Sequence, residues 1–484
     1  MSDLKSIARR VMVARGLLPD FSAAALAEAS HLVEPRIATS SAVRDLRHLL
    51  WASIDNDTSR DLDQLSVAEP MSGGAVKIFV AVADVDALVK KHSAIDRHAE
   101  ANTTSVYTAA EVFPMLPEKL STNLTSLNEG EERLALVVEM VVSDAGIVTA
   151  AEIHRAAVVN HAKLAYDSVA AWLDGASPAP PRVADVRGMD EQLRIQDRVA
   201  HAMRKLRYEH GALNLQTPEA QAVFDAGELT DLLPDPPNRA KELIEDFMIA
   251  ANGATAKFLT ARGFPTLRRV LRSPERWDRI VALAAATGEH LPSAPDGKAL
   301  AQFLTKRLND DPKRFADLSL SVVKSLGRGE YVLDLPGAKP DGHFGLAVSD
   351  YTHSTAPNRR FPDLLTQRLL KAALAGERPP YSNAELTQLA KHCTDQETNA
   401  AKVERQVRKS AAAQLLVSRI GHEFDGIITG VNAGGTWVRV THPSAEGMLI
   451  RGAAGLDVGD RVRVALVHAD VARGFIDFAR AARG

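Results

Sequence analysis

A chain of 484 residues, 45% hydrophobic and 25% charged, carries enough apolar side chain for a large core with smaller satellites, which excludes a fibrous or disordered class. Its formal net charge of −3 excludes capture of a polyanion by a whole-molecule positive field and leaves room only for a local basic channel. The single cysteine, Cys393, excludes an internal disulfide and a cysteine-based zinc site, and suits a reducing compartment.

The opening stretch MSDLKSIARRVMVARG lacks the apolar run of a signal peptide. Leu4, Ile7, Val11, Ala14 and Leu18 recur at helical spacing, and FSAAALAEAS, with Leu26, predicts a second short helix. From about 50 to 150 the pattern changes to strands: VKIFVAVADV and RLALVVEMVV are apolar and rich in β-branched residues. The run from Ile78 to Val85 is short and contains Asp84, so it reads as a core strand, not a membrane span, and the protein is expected to be soluble and cytoplasmic. VFPMLPEKLSTNLTSLN, between the two strands, reads as irregular chain crossing the surface or lining a cleft.

Residues 150–310 read as mostly helical, through AKLAYDSVAAWL, EQLRIQDRVAHAMRKL and RAKELIEDFMIAANGATAKFL, with ASPAPPRVAD as a proline-rich loop. HFGLAVSDYTHSTAPNRRFP (343–362) is polar and turn-rich. A helix is predicted from Asp363 to about Leu374, then a long one from about Ala384 to Ile420, with Ser382 and Glu385 at capping-box spacing. From Gly421, FDGIITGV, TWVRVT, EGMLIRG, RVRVALVHA and GFIDFAR predict a small five-stranded OB barrel.

The sharpest local feature is SIDNDTSRDLDQ, which holds Asp55, Asp57, Asp61 and Asp63 within nine positions. Carboxylates this close repel one another unless a cation or proton joins them. Oxygen ligands suit Mg²⁺, which leaves positions open for water and phosphate; the glycine and closing glutamate of an EF-hand are missing. The pattern is also that of a solvated acidic loop. The second feature is YTHSTAPNRRFPDLL, where Arg359 and Arg360 follow a proline turn and precede a helix. Guanidinium groups grip phosphate oxygens bidentately, although two arginines beside Asp363 are also an ordinary surface feature. An acidic metal site with an arginine clamp suits phosphoryl chemistry.

IDNDTSRDLDQ resembles the opening signature of the ribonuclease II (RNB) catalytic domain, and HFGLAVSDYTHSTAPNRRFPDLLTQRLL resembles its other signature. TSVYTAAEVFPMLPEKLSTNLTSLNEGEERLALV and ELIEDFMIAANGATAKFL are similar to that domain in the expected order, and the C-terminal part is similar to the OB barrel that ends these enzymes. The resemblance covers about residues 50–480. It implies an α+β fold in three parts: a helical N-terminal region over 1–48, an RNB catalytic domain of mixed β-sheet surrounded by helices over 49–420, and an RNA-binding OB barrel over 421–484.

The same resemblance implies a 3′→5′ hydrolytic exoribonuclease that degrades single-stranded RNA to nucleoside 5′-monophosphates with Mg²⁺, Mn²⁺ being the alternative ion. Asp55, Asp61 and Asp63 match three of the family's four acidic residues around the metal, and Asp63 the one on which the chemistry depends most. Arg359 matches the arginine on the scissile phosphate, and Glu404 a carboxylate reaching the site from the late helix, although Glu404 also has i,i+4 spacing to Arg408. Tyr107 matches a tyrosine packing on the terminal nucleotide, and Tyr166 one near the ribose, with a plain core role as the other reading. Arg360 and Trp437 are further RNA-binding candidates, Trp437 being equally a core residue. Aromatic stacking is sequence-tolerant, and the 2′-OH distinguishes RNA from DNA.

The chain departs from the family at three places. Gln64 stands where the fourth acidic residue is usual, so that its carbonyl, or Asp57, must complete the metal site. The usual N-terminal cold-shock barrels are not seen before the signature. Ala222 falls where a stacking aromatic is common, with Phe224 nearby. These departures support an alternative: a non-catalytic protein on the same scaffold that captures RNA 3′ ends. A monomer without a small-molecule cofactor is expected.

Overall fold

The computed structural model describes residues 4–35, 37, 42–216, 220–225, 228–234, 237–339, 341–432 and 434–481. At its centre is a seven-stranded mixed sheet, in the order Arg44–Asp45, Val148–Val159, Glu132–Val142, Val76–Ala83, Gln64–Pro70, Ala52–Asp55 and Ala162–Ala165. The inner neighbours pair antiparallel. The two outermost pairs are parallel. Val76–Ala83 is apolar at almost every position because nearly all its residues are buried, as expected of a strand covered on both faces. The helix Arg239–Ala261 packs against the sheet, and its Leu243 and Phe247 join the same core as Ile78, Val80 and Trp51. Burying each such large side chain stabilises the fold by roughly 1.5–3 kcal/mol.

The helix Asn383–Leu416 links this core to the C-terminal barrel. It begins with the expected capping box, Ser382 accepting from the Glu385 amide while Glu385 accepts from the Ser382 amide. Ala412, Ala413 and Leu416 at its far end join the barrel core. The barrel closes in the order Glu423–Asn432, Gly435–Val440, Ala445–Arg451, Phe475–Arg480 and Arg461–Asp470, which are the five strands the sequence pattern predicts. At Gly447 a Cβ would run into the Ile476 carbonyl, so glycine lets the parallel strands approach there. The N-terminal helix Leu4–Ala14 packs on the long helix: Ala8, Met12 and Leu17 cluster with Val403, Val407, Val106 and Phe113. Among the described residues no helix is long and apolar enough to cross a membrane.

Three local expectations change. AKLA (162–165) is a strand, and the helix begins only at Tyr166, because pairing with Ala52–Asp55 overrides alanine's helical preference. Part of the proline-rich loop forms a short helix, Pro181–Asp185, with Pro181 in its first turn where no amide partner is needed. Antiparallel strands Ala220–Asp225 and Glu228–Pro234, and the strand Thr266–Val270, interrupt the stretch read as helical. The side chains of Ala222 and Phe224 lie outside the described residues.

Candidate active site

The acidic motif is the loop between two sheet strands. Asp55 ends the strand Ala52–Asp55 and Gln64 begins Gln64–Pro70. Between them Leu62 is buried, which fixes Asp61 and Asp63 on either side of an anchor. The anchor is reinforced by the end of VFPMLPEKLSTNLTSLN: the Leu62 amide donates to Ser126 Oγ at 3.0 Å, and the Leu62 carbonyl accepts from the Leu127 amide at 2.9 Å. The Ser126 hydroxyl in turn donates to the Arg60 carbonyl.

The arginine motif meets this loop across the fold. The Asn358 amide donates to Asp63 Oδ1 at 2.8 Å. Asn358 is itself locked, accepting from Thr125 Oγ1 at 2.6 Å and donating to the Thr125 carbonyl at 3.0 Å. Arg359 Nε lies 3.3 Å from Asp63 Oδ2, with the Arg359 side chain 40% exposed and that of Asp63 2%. Asp63 thus sits at the base of the site with an arginine reaching past it toward solvent. Asn358 and Thr125 lie within the quoted motifs, but sequence reading gave them no role; an Asn after Pro carries no signal that its backbone will hold a distant carboxylate.

Tyr107 closes one side. Its hydroxyl donates to Asp61 Oδ2 at 3.1 Å, and its amide donates to Glu404 Oε1 at 2.9 Å. Glu404 therefore reaches the site through the Tyr107 backbone. The Tyr107 side is 44% exposed, so its ring offers a free face. Tyr166 closes the other: the parallel register Asp55↔Ala165 places it directly after the residue paired with Asp55. It is half-buried, with Lys241 Nζ 5.9 Å from its ring centroid.

Electrostatics mark Asp63 as the unusual group. Burial pushes its carboxyl up to about 7, against the opposing pull of Arg359 and the Asn358 amide, with Asp61 adding to the rise. Burial also raises Asp55, opposed by hydrogen bonds from the Asn56 amide and Ser59 and by the charge of Arg359. Desolvation raises both tyrosine hydroxyls, with Asp61 adding to the rise at Tyr107 and Asp55 at Tyr166. Asp63 Oδ2 and Gln64 Oε1 are both buried without a hydrogen-bond partner. Gln64 Oε1 has no partner and Asp63 Oδ2 only the Arg359 guanidinium at 3.3 Å; buried oxygens satisfied this poorly are costly unless a further cation takes them up, so this donor set fits a divalent ion. Asp55, Asp61 and Asp63 do not form a trio with ligand atoms all within 4.8 Å of one another. With the carboxylates spread, the Gln64 carbonyl and a phosphate oxygen are the natural completing donors. Asp57 is exposed in a turn.

The remaining candidates separate. Arg360 turns away from Arg359: it donates to Asp363 Oδ1 at 2.7 Å, and the Asp363 side chain is fully buried. Asp363 also accepts from the Ala356 amide, so Arg360 belongs to the pair that shapes the turn. Trp437 lies on Gly435–Val440, where Thr436, Val438 and Val440 are buried; it alternates outward, half-buried, over Gly430. The barrel core is built without it.

The sheet-centred α+β domain and C-terminal barrel, joined to this carboxylate–arginine site, define the class. The RNB domain model matches residues 43–376, and that of the RNase II-type exonuclease C-terminal S1 domain matches 422–481. The chain belongs to the RNB family.

Ribonuclease R of Aquifex aeolicus is 32% identical over 413 residues, covering 84% of this chain and 57% of the relative. That of Escherichia coli is 32% identical over 421 residues, covering 84% and 51%. The chain spans about half the length of these curated relatives. In fold it is similar to the RNase R of Mycoplasma genitalium in complex with ribose-methylated single-stranded RNA, with a TM-score of 0.86 at 22% identity, covering 99% of this chain and 78% of that one. It is also similar to an active-site mutant of the Dss1 exoribonuclease of Candida glabrata, with a TM-score of 0.75 at 16% identity, covering 92% and 56%.

Proposed function

We propose that the protein is a 3′→5′ hydrolytic exoribonuclease that degrades single-stranded RNA to nucleoside 5′-monophosphates with Mg²⁺. The observation that carries this reading is the pair of buried oxygens that accept no hydrogen bond, Gln64 Oε1 and the Asp63 Oδ2 that faces only the Arg359 guanidinium, in a chain of the RNB family. Asp55, Asp61 and Asp63, with the Gln64 carbonyl, would hold the ion; when bound it supplies a water of lowered pKa and neutralises phosphate charge.

The chain's own groups do the rest. Arg359 directs its exposed guanidinium at the scissile phosphate. Tyr107, held through its amide by Glu404, stacks on the terminal base without reading it. Tyr166, beside the strand end that carries Asp55, reaches the ribose, where a 2′-OH marks RNA. The barrel offers Trp437 as a stacking surface for incoming strand. The reducing environment that suits a single buried cysteine supports action in the cytoplasm.

The test is a 5′-labelled single-stranded oligonucleotide incubated with protein and Mg²⁺. A ladder shortened from the 3′ end is expected for the native sequence and none for Asp63→Asn. Gln64 favours a second reading, a non-catalytic protein that captures 3′ ends. Tight, salt-sensitive RNA binding with no shortening in Mg²⁺ or Mn²⁺ would establish that reading and end the first.

A further inference from the structure

Separate from the Asp63 cluster, the antiparallel strands Glu132–Val142 and Val148–Val159 carry a second set of ligating atoms. Glu139 and Glu152 are directly opposite each other, and His154, opposite Val137, lies two residues along on the same face. One ligand atom from each of Glu139, Glu152 and His154 lies within 4.8 Å of the other two, the only such trio among the described residues. Donors held about 2.0–2.2 Å from one ion sit roughly 3–4 Å apart, so the trio needs only a small inward adjustment.

His154 supplies the independent sign of a ligand. It is 7% exposed, yet neither Nδ1 nor Nε2 has a hydrogen-bond partner. A buried imidazole with both nitrogens unpaired bears a desolvation cost that a ligand removes.

The neighbouring charges narrow the ligand. Two carboxylates beside the imidazole exclude an anion. Lys77 Nζ lies 2.6 Å from Glu139, and Arg44 pairs with Glu152. These cations balance the carboxylates, Arg44 also reaching Glu139 at 3.8 Å; Glu139 is 14% exposed, but the cations are 35% and 44% exposed and can turn to water when an ion takes the carboxylates. One imidazole nitrogen with two carboxylates suits a zinc-type cation better than Mg²⁺, which takes oxygen donors. We infer that Glu139, Glu152 and His154 form a second divalent-metal site, selective for a zinc-type ion, that ties the two longest strands of the sheet together.

The test is Zn²⁺ and Co²⁺ titration of the full chain with Mg²⁺ in excess, comparing the native sequence, Glu152→Gln, His154→Gln and Asp63→Asn. Glu152 is 55% exposed, so Glu152→Gln leaves the core intact, and circular dichroism checks the fold of each. The native protein and Asp63→Asn are expected to bind an equivalent that Glu152→Gln and His154→Gln bind at least about tenfold more weakly, because losing a ligand costs no less than losing its support. Visible Co²⁺ bands from mixed imidazole and carboxylate ligation should disappear in the same two variants. Equal stoichiometry and affinity in folded native, Glu152→Gln and His154→Gln proteins would overturn the site and leave His154 an unpaired core imidazole.

Discussion

Adjacent arginines show how finely a role is set at the scale of a residue. Arg359 and Arg360 are neighbours in sequence, but one faces Asp63 and the other Asp363. In saturating Mg²⁺, Arg359→Ala should lower kcat/KM at least about a hundredfold, the loss of one positioned charge donor, with little change in unfolding midpoint. Arg360→Ala should instead destabilise the fold by about 3 kcal/mol or more, because Asp363 is left buried and unpaired; denaturant unfolding separates the two. Gln64→Asp restores a negative donor beside Asp63 and should lower the Mg²⁺ concentration for half-maximal activity; an unchanged or raised requirement would exclude Gln64 from the ion's surroundings. Asp55, Asp61, Asp63 and Arg359 draw attention in sequence because they stand in two long motifs. The directions of their side chains are not legible there, since those depend on contacts such as Asn358 to Asp63 that join distant parts of the chain.

At the scale of elements, the N-terminal helices brace the site. Met12 is fully buried against Val403, Val407 and Val106, the neighbours of Glu404 and Tyr107. Met12→Ala should cost roughly 2–5 kcal/mol and raise KM for short RNA more than it lowers kcat. His98 makes the same junction sensitive to acid. It is buried, stacks near Phe21 with ring centroids 4.2 Å apart, and burial lowers its pKa from 6.5 to about 4. Because the unfolded chain binds this proton more tightly, the stabilisation is full above 6.5 and is lost as pH falls toward 4. The protection of the segment around Phe21, measured as hydrogen exchange relative to the intrinsic rate at each pH, should therefore fall over that interval in the native protein and not in His98→Phe. The barrel strands Gly435–Val440 and Ala445–Arg451 were readable because they alternate between buried and more exposed residues. AKLA was not, because four residues without alternation become a strand only through their partner.

At the scale of the whole molecule, net charge misdirects and local arrangement decides. A chain of net charge −3 handles a polyanion, on this account, through one exposed arginine, a cation held by buried oxygens, and stacking surfaces at Tyr107 and Trp437. RNA affinity should fall with salt, and Asp63→Asn should abolish turnover while keeping that salt-dependent binding; filter binding across an ionic-strength series measures both together. The barrel could be expected from period along the sequence, and the sheet-centred domain from the resemblance of its motifs to the RNB family. The second ligand trio could not, since Glu139 and Glu152 become neighbours only through strand register.

The most direct measurement is digestion of single-stranded RNA with Mg²⁺ in ¹⁸O-labelled water, with mass spectrometry of the released nucleotides. Water attacking each terminal phosphodiester predicts nucleoside 5′-monophosphates carrying one ¹⁸O, released from the 3′ end by the native protein and absent with Asp63→Asn. Unlabelled products, nucleoside 3′-phosphates, or equal release by Asp63→Asn would contradict the account.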